Sequence, residues 1–188
     1  MAAIDAFRGY ATAIGEVLPD ATLVIDHFHA IRLASTAVSD ARRRVQQDTL
    51  GHRGRTSDPL YGIRRLLLRT WANHNDRGWE RLRQGLAAGD PDGHVAAVWL
   101  ARELLSEVYT AHDLPHAKRR LIVFFQHAAD AEVPELTRLA HTVDRWRDEI
   151  LAFHTTDGAS NGPTEAVNLL IEKIRRPSRH CIDNRRCI

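Results

Sequence analysis

Helical hydrophobic periodicity runs through most of this 188-residue chain and leaves little room for strands. The clear exception is Ala21-Thr22-Leu23-Val24-Ile25, a short apolar run rich in β-branched residues, which predicts a buried strand. From about residue 30 to residue 150, apolar residues recur at the spacing of amphipathic helices. We therefore expect a mainly α protein with a small α/β part.

The predicted helices begin and end at recognisable signals. The first covers residues 30–47, ends before the polar, glycine-bearing residues 51–57, and buries one stripe at Ile31, Ala34, Val38, Ala41 and Val45. A second covers residues 59–72, and others begin near Asn75-Asp76, Asp90-Pro91, Pro115 and Pro134. The last of these carries a seam for packing against another helix, at Leu136, Leu139, Val143, Trp146 and Ile150.

Asp26-His27-Phe28-His29 directly follows the predicted strand. Ligand sites in open α/β sheets lie beyond the carboxyl ends of strands, so Asp26 is well placed for chemistry, and His29 can approach the same space. The alternative interpretation is that Asp26 caps the helix that follows. Spacing alone leaves both interpretations open.

A second polar stretch, Ser160-Asn161-Gly162-Pro163-Thr164-Glu165, leads into a helix with one apolar face. Pro163 suits the first helical position, and Glu165 lies in the first turn, where the helix dipole favours a carboxylate. Glu165 is therefore either a functional carboxylate or a solvated residue that helps the helix to start. The apolar face consists of Val167, Leu170, Ile171 and Ile174.

The composition is mildly basic, with a formal net charge of +2, and nearly all of its 26 basic residues are arginine. The arginines cluster, notably at residues 42–44, 64–65 and 175–179, and guanidinium groups bind phosphate oxygens bidentately. Ordinary solvated helix faces in an arginine-rich composition are the alternative explanation. Scarce cysteine and the lack of a long apolar run predict a cytoplasmic protein without a membrane partner.

Three residue types carry less information. His27 and His29 are the closest pair among the eleven histidines, and structural zinc is not expected. A metallohydrolase that uses them with Asp26 stays open, although such a site is expected to have a second histidine pair on a helix. Cys181 and Cys187 lie in the last eight residues and carry little weight. The four tryptophans, Trp71, Trp79, Trp99 and Trp146, are expected in the core rather than beside a flipped base.

Taken together, these segments resemble the DDE transposases of the bacterial ISL-three insertion-sequence family. The resemblance covers most of the chain and rests on the order of its motifs. These are residues 5–10 (Asp-Ala-Phe-Arg-Gly-Tyr), 18–21 (Leu-Pro-Asp-Ala), 26–29 and 41–44, then 58–61 (Asp-Pro-Leu-Tyr), 64–67, Trp146, and the stretch from Ser160 to Asn168.

The resemblance implies a ribonuclease-H-like core in which three acidic residues hold two divalent ions. Asp26 would be the second acid and Glu165 the third, and both would bind Mg²⁺ or Mn²⁺. His29, Asn161 and Asn168 would support the site. The partner would be DNA at transposon ends, and the residues expected to contact it are Arg42, Arg43, Arg44, Arg64, Arg65, Lys173, Arg175 and Arg176.

The first acid of the triad is not found at its expected place. Only one predicted helix, about residues 7–17, separates Asp5 from the strand before Asp26, and Asp5 matches an acidic residue that precedes this helix in the family. We therefore do not assign the first catalytic role to Asp5. The tail after Arg176 also departs from the family pattern, because it contains no aromatic residue.

We expect a truncated transposase in four parts. Residues 1–29 would be a remnant of the ribonuclease-H-like core, residues 30–152 a large all-helical insertion, residues 153–176 the loop and helix with the third acid, and residues 177–188 a divergent tail. Its ancestral reaction would be metal-dependent cleavage and strand transfer at transposon ends. With two carboxylates this chain would be inactive and need bind no metal.

Two further hypotheses remain open. The chain could be a non-catalytic DNA-binding or oligomerising remnant that regulates the full-length transposase in the bacterial nucleoid. It could also be a pseudogene product that does not fold stably.

Overall fold

The computed structural model describes residues 2–4 and 16–156, and for residues 2–4 only the strand and its register. Two strands, β1 (Ala2–Ile4) and β2 (Leu23–Ile25), pair in parallel, with Ala2 opposite Leu23 and Ile4 opposite Ile25. The sequence predicted β2, but β1 was missed. A parallel pair brings the carboxyl ends of both strands to the same edge.

The remaining described elements are helical. They are α1 (His27–Leu50), α2 (Pro59–Gly62), α3 (Asp76–Gly89), α4 (His94–Tyr109), α5 (Leu114–Asp130), α6 (Pro134–Arg145) and α7 (Arg147–Leu151), with 3₁₀ turns at Trp71–Asn73 and Ala152–Thr155. The mainly helical prediction is confirmed, whereas a complete ribonuclease-H-like core stays a prediction. Within the described residues, no helix is both long enough and apolar enough to cross a lipid bilayer.

Helix α1 forms one wall of the core and confirms the predicted stripe. Ala34, Val38, Ala41 and Val45 are buried, and Ile31 is partly buried. The helix ends at Gly51, whose φ of 71° is a left-handed conformation that glycine adopts at little cost. It packs mainly against α4, which in turn packs against α5, so α4 is the central helix of the described part of the chain.

The predicted helix over residues 59–72 is wrong beyond its first turn. Helix α2 ends at Gly62, and tight turns continue to residue 69. The Arg102 guanidinium donates hydrogen bonds to the carbonyl oxygens of Leu68 and Arg69 at 3.0 and 3.3 Å. A contact from a distant helix thus holds this segment in a shape that its local sequence does not predict.

Other predicted starts are confirmed with small shifts. Asn75 caps α3 by accepting a hydrogen bond from the Gly78 N–H. Asp90 accepts from the backbone N–H groups of Val95 and Ala96, so it caps α4 although that helix begins at His94. The predicted final helix is divided at Trp146 into α6 and α7, and all five residues of its seam are buried.

The tryptophans do not all lie in the core. Trp99 and Trp146 are buried, Trp79 is partly buried, and Trp71 is 51% exposed. The core prediction is therefore wrong for Trp71.

Candidate active site

Asp26 and His29 form a buried pair at the carboxyl end of β2. Asp26 is 2% exposed and His29 is 6% exposed. One carboxylate oxygen of Asp26, Oδ1, accepts a hydrogen bond from the His29 backbone N–H at 3.0 Å and from His29 Nδ1 at 2.7 Å. Asp26 therefore caps α1, as one of the two open interpretations held, and it also fixes a proton on His29 Nδ1.

Residues of α4 complete the surroundings of this pair. The Tyr109 hydroxyl donates a hydrogen bond to the Ile25 carbonyl oxygen at 3.0 Å, and burial together with the nearby Asp26 charge raises the pKa of Tyr109. His27 Nε2 lies 3.2 Å from Ser106 Oγ, and its ring packs on Tyr109. The sequence analysis missed Ser106 and Tyr109. They lie about eighty positions after the Asp26 motif in the chain, and no nearby motif indicates that they contact it.

His27 and His29 point to different surroundings, as their alternate positions predicted. His29 is turned inward to Asp26, whereas His27 is exposed and reaches from α1 to Ser106 and Tyr109 of α4. Burial lowers the pKa of His27, the Arg102 charge lowers it further, and the Asp26 charge acts in the opposite direction. His27 is therefore held closer to its neutral form than a histidine with the ordinary pKa of 6.5.

The described residues do not by themselves form a metal centre. No group of three or more histidine, cysteine or acidic side chains comes together within residues 16–156. Asp26 supplies a carboxylate and His29 an imidazole, and a divalent ion at this edge would need further oxygen ligands. Glu165, Asn161 and Asn168, predicted to complete or support the site, lie outside the described residues, as does Asp5.

The arginines of α1 that were predicted to contact DNA differ in accessibility. Arg42 is 7% exposed, and its guanidinium donates to Gln46. Arg44 forms a bidentate pair with Glu135 of α6, at 2.9 and 3.1 Å. Arg43 is the exposed member of the cluster and pairs at the surface with Asp40, at 3.1 Å. The guanidinium of Arg43 is therefore the one best placed to reach a partner.

The second predicted cluster is similar. The Arg64 guanidinium lies 3.9 Å from the centroid of the Tyr61 ring and donates to the Tyr61 carbonyl oxygen, whereas Arg65 is exposed. Lys173, Arg175 and Arg176 lie outside the described residues. Contact of any of these residues with DNA stays a prediction.

A family model described as a transposase, of the DDE type and ISL-three group, matches residues 1–180. The chain belongs to the ISL-three family of DDE transposases. Neither a curated protein nor a solved structure gives a significant match. Transposases of this type use divalent metal ions and act on DNA. The relevant comparison is therefore between a metal-dependent DNA-cleavage site and the Asp26 edge, by which we mean Asp26 and His29 at the carboxyl end of β2.

Proposed function

We propose that this chain forms part of the catalytic domain of an insertion-sequence transposase, with Asp26 and Glu165 as its metal-holding carboxylates. The observation that carries the proposal is the family match over residues 1–180, which includes both acids. The position of Asp26, buried directly after a parallel strand, supports it, since such strand ends are where α/β folds place their ligand sites.

The chemistry of the family would come from Mg²⁺ or Mn²⁺, which stabilises the attacking and leaving oxygens of a phosphoryl transfer when bound. In our proposal Asp26 would hold the ion from the strand side, and Glu165 would hold it from the helix that the sequence predicts after Pro163. His29 acts as a positioning residue, because its Nδ1–H donates to the Asp26 carboxylate and restricts its rotation. Asn161 and Asn168 support the Glu165 side.

Two carboxylates are fewer than the three that set the metal geometry in this family. We therefore expect no strand cleavage by this chain alone. The strand register nevertheless names a candidate for a further acid. Ile4 is opposite Ile25, and Asp5 follows Ile4 in the sequence as Asp26 follows Ile25.

Mn²⁺ binding, followed by electron paramagnetic resonance, tests the metal assignment without requiring cleavage. We expect binding that weakens in Asp26→Asn and in Glu165→Gln and is unchanged in Asp130→Asn, which removes an exposed charge at the end of α5. Equal binding by the wild type and both site variants would refute the assignment.

Strand cleavage is tested with a duplex that carries the inverted repeats flanking the gene, in the presence of Mn²⁺. The expected result is no nicking. Nicking that disappears in Asp26→Asn, Glu165→Gln and Asp5→Asn would overturn the expected inactivity and make Asp5 the missing first acid of the triad. Nicking that persists in all three variants would contradict the assignment of the site.

The second candidate function is non-catalytic DNA binding, which the exposure of Arg43 and Arg65 favours. It predicts salt-sensitive binding that survives replacement of Asp26 and Glu165, because phosphate contacts would carry it. Arg43→Ala and Arg65→Ala should each reduce the salt dependence of the binding constant. Arg42→Met serves as the comparison, because the Arg42 guanidinium is already buried. Binding that depends on Asp26 rather than on the arginines would exclude this candidate.

A further inference from the structure

We propose that four aromatic residues, Trp71, Trp79, Trp99 and His74, form an aromatic platform that stacks against an unpaired base of a DNA strand. The inference rests on the proposed function for DNA as the partner. It concerns a different part of the molecule from the Asp26 edge and requires no metal.

The platform is a contiguous set of rings with one exposed member. The rings of Trp71 and Trp99 are parallel within 5°, with centroids 5.8 Å apart, and Trp79 meets Trp71 edge to face at 5.2 Å. His74 packs against Trp79 at 5.0 Å. Trp71 remains 51% exposed, so the stack continues to the surface of the protein.

The platform borders a shallow cavity of about 450 Å³. Trp79 and Trp99 line it together with Leu82, Leu86 and the side chain of Arg83. The apolar walls match the flat, apolar faces of a base, and the Arg83 guanidinium at the rim, which pairs with Glu80 at the surface, suits an anionic phosphate.

Stability alone does not explain the arrangement of the cluster. The indole N–H of Trp99 and both ring nitrogens of His74 are buried and have no hydrogen-bond partner within the described part of the chain. Buried polar atoms are normally paired, and leaving them unpaired lowers stability. A cluster selected only for packing would therefore place apolar rings at these positions.

A buried ion pair holds the exposed indole in place. Glu103 Oε2 accepts a hydrogen bond from the Trp71 backbone N–H at 2.8 Å, and Glu103 is itself paired with Arg102. The Arg102 guanidinium also binds the carbonyl oxygens of Leu68 and Arg69. Because the backbone from Leu68 to Trp71 is tied to α4, little backbone entropy is lost when a base stacks on the indole.

The charge around the platform complements a nucleic-acid strand. Residues 64–83 contain six arginines and two acidic residues. Arg65, Arg69, Arg77, Arg81 and Arg83 are exposed. Aromatic rings among exposed cations are the combination by which proteins bind single strands, with stacking on the bases and cations along the phosphates.

Helix α4 connects the platform to the Asp26 edge. Trp99 lies in its first half, while Ser106 and Tyr109, the neighbours of His27, lie in its second half. At about 1.5 Å per residue, the platform and the Asp26 edge are separated by roughly 10–15 Å along the helix. A strand bound near Asp26 could therefore extend to the platform with only a few nucleotides between them.

The test compares an oligothymidylate with a blunt-ended duplex of the same length, without metal, by tryptophan fluorescence and anisotropy. We expect the single strand to quench tryptophan emission. Trp71→Ala should weaken single-strand binding about tenfold and leave duplex binding unchanged. Trp71→Phe, which keeps an aromatic face, should retain most of the single-strand affinity. The control is Ile122→Ala, which removes a similarly exposed apolar side chain from α5.

The outcomes separate this inference from the proposed function. If the protein binds duplex DNA and Trp71→Ala binds single strands as tightly as the wild type does, the platform is overturned but the proposed function stays intact. An equal loss of single-strand and duplex binding in Trp71→Ala also overturns it. A duplex has no unpaired base to stack on the platform, so losing the indole should not weaken duplex binding. If the wild type binds neither the single strand nor the duplex, both the platform and the proposed function are overturned.

Discussion

Arg102 and Glu103 are adjacent in sequence and form a buried ion pair that fastens the segment from Leu68 to Trp71 onto α4. Their exposed fractions are only 4% and 5%. The pair is not isolated, because Arg102 also donates to Ser35 of α1 at 3.1 Å and Glu103 accepts from the Trp71 N–H. Three parts of the chain therefore meet at one pair of charges.

Glu103→Ala should be among the most destabilising single substitutions in the described region. It leaves the Arg102 charge buried without its carboxylate, which typically costs about 3–5 kcal/mol in the free energy of unfolding. Urea denaturation followed by circular dichroism measures the loss. Glu80→Ala is the control, because Glu80 pairs with Arg83 at the surface and should change stability little. Comparable losses in the two variants would show that burial does not strengthen the Arg102–Glu103 pair.

Asp26→Ala should destabilise the protein more than removal of an ordinary helix cap. It removes the cap of α1 and leaves the buried Nδ1–H of His29 without this acceptor, and together these effects should cost about 2 kcal/mol or more. Asn75→Ala removes only the cap of α3 and should cost about 1 kcal/mol. Both variants are compared by urea denaturation. If their losses are equal, the contact between Asp26 and His29 Nδ1 contributes nothing to folding.

His27 should make the stability of the protein depend on pH. Burial lowers its folded-state pKa below the usual value of 6.5, so the unfolded chain binds a proton more readily than the folded one. The stability that neutral His27 contributes is complete above about pH 6.5 and is lost as pH falls through the lower, folded-state pKa.

His27→Gln removes this titration and should flatten the fall in unfolding free energy between about pH 7 and about pH 5. Urea denaturation of both proteins at each pH gives the difference between their unfolding free energies. The other histidines are present in both proteins, so their contributions drop out of this difference. An identical pH dependence in the wild type and the variant would mean that His27 titrates alike in the folded and unfolded states.

The sequence predicted local features well and long-range ones poorly, for a physical reason. The stripe of α1 follows from the helical period, and the cap at Asn75 depends on a residue three positions away. Strand β1 is only three residues long, Ala2–Ile4, and has no β-branched run, so its presence depends on pairing with β2. The turns after Gly62 depend on Arg102, thirty to forty positions away.

The candidate site shows the same division. One short motif, residues 26–29, identified both Asp26 and His29. The structure brings the two side chains together because a helix cap involves only neighbouring residues. Tyr109 and Ser106 reach the site only through the packing of α4 against α1, which no motif reports. The tryptophan prediction was wrong at Trp71, because residue type alone does not show that an anchored turn carries the ring to the surface.

Close packing of α3 against the turn after α2 gives a final prediction, on Gly85. A Cβ atom at Gly85 would lie 2.6 Å from Ile63 Cγ2, closer than two carbon atoms can approach, and both residues are buried. Gly85→Ala should therefore destabilise the protein by about 1–3 kcal/mol, although alanine favours a helix by up to about 1 kcal/mol over glycine.

Gly62→Ala is the matched control, because nothing lies within 4 Å of a Cβ atom at that position and its backbone φ is not in the left-handed region. It should leave stability unchanged or raise it slightly. Ile63→Ala removes the Cγ2 atom, so it should make the methyl group added by Gly85→Ala much less destabilising. Ile63→Val keeps Cγ2 and should give no such relief. Non-additive free energies of unfolding in a double-mutant cycle of Gly85→Ala and Ile63→Ala would establish the contact. Strict additivity would show that α3 moves away from Ile63 to accommodate the methyl group.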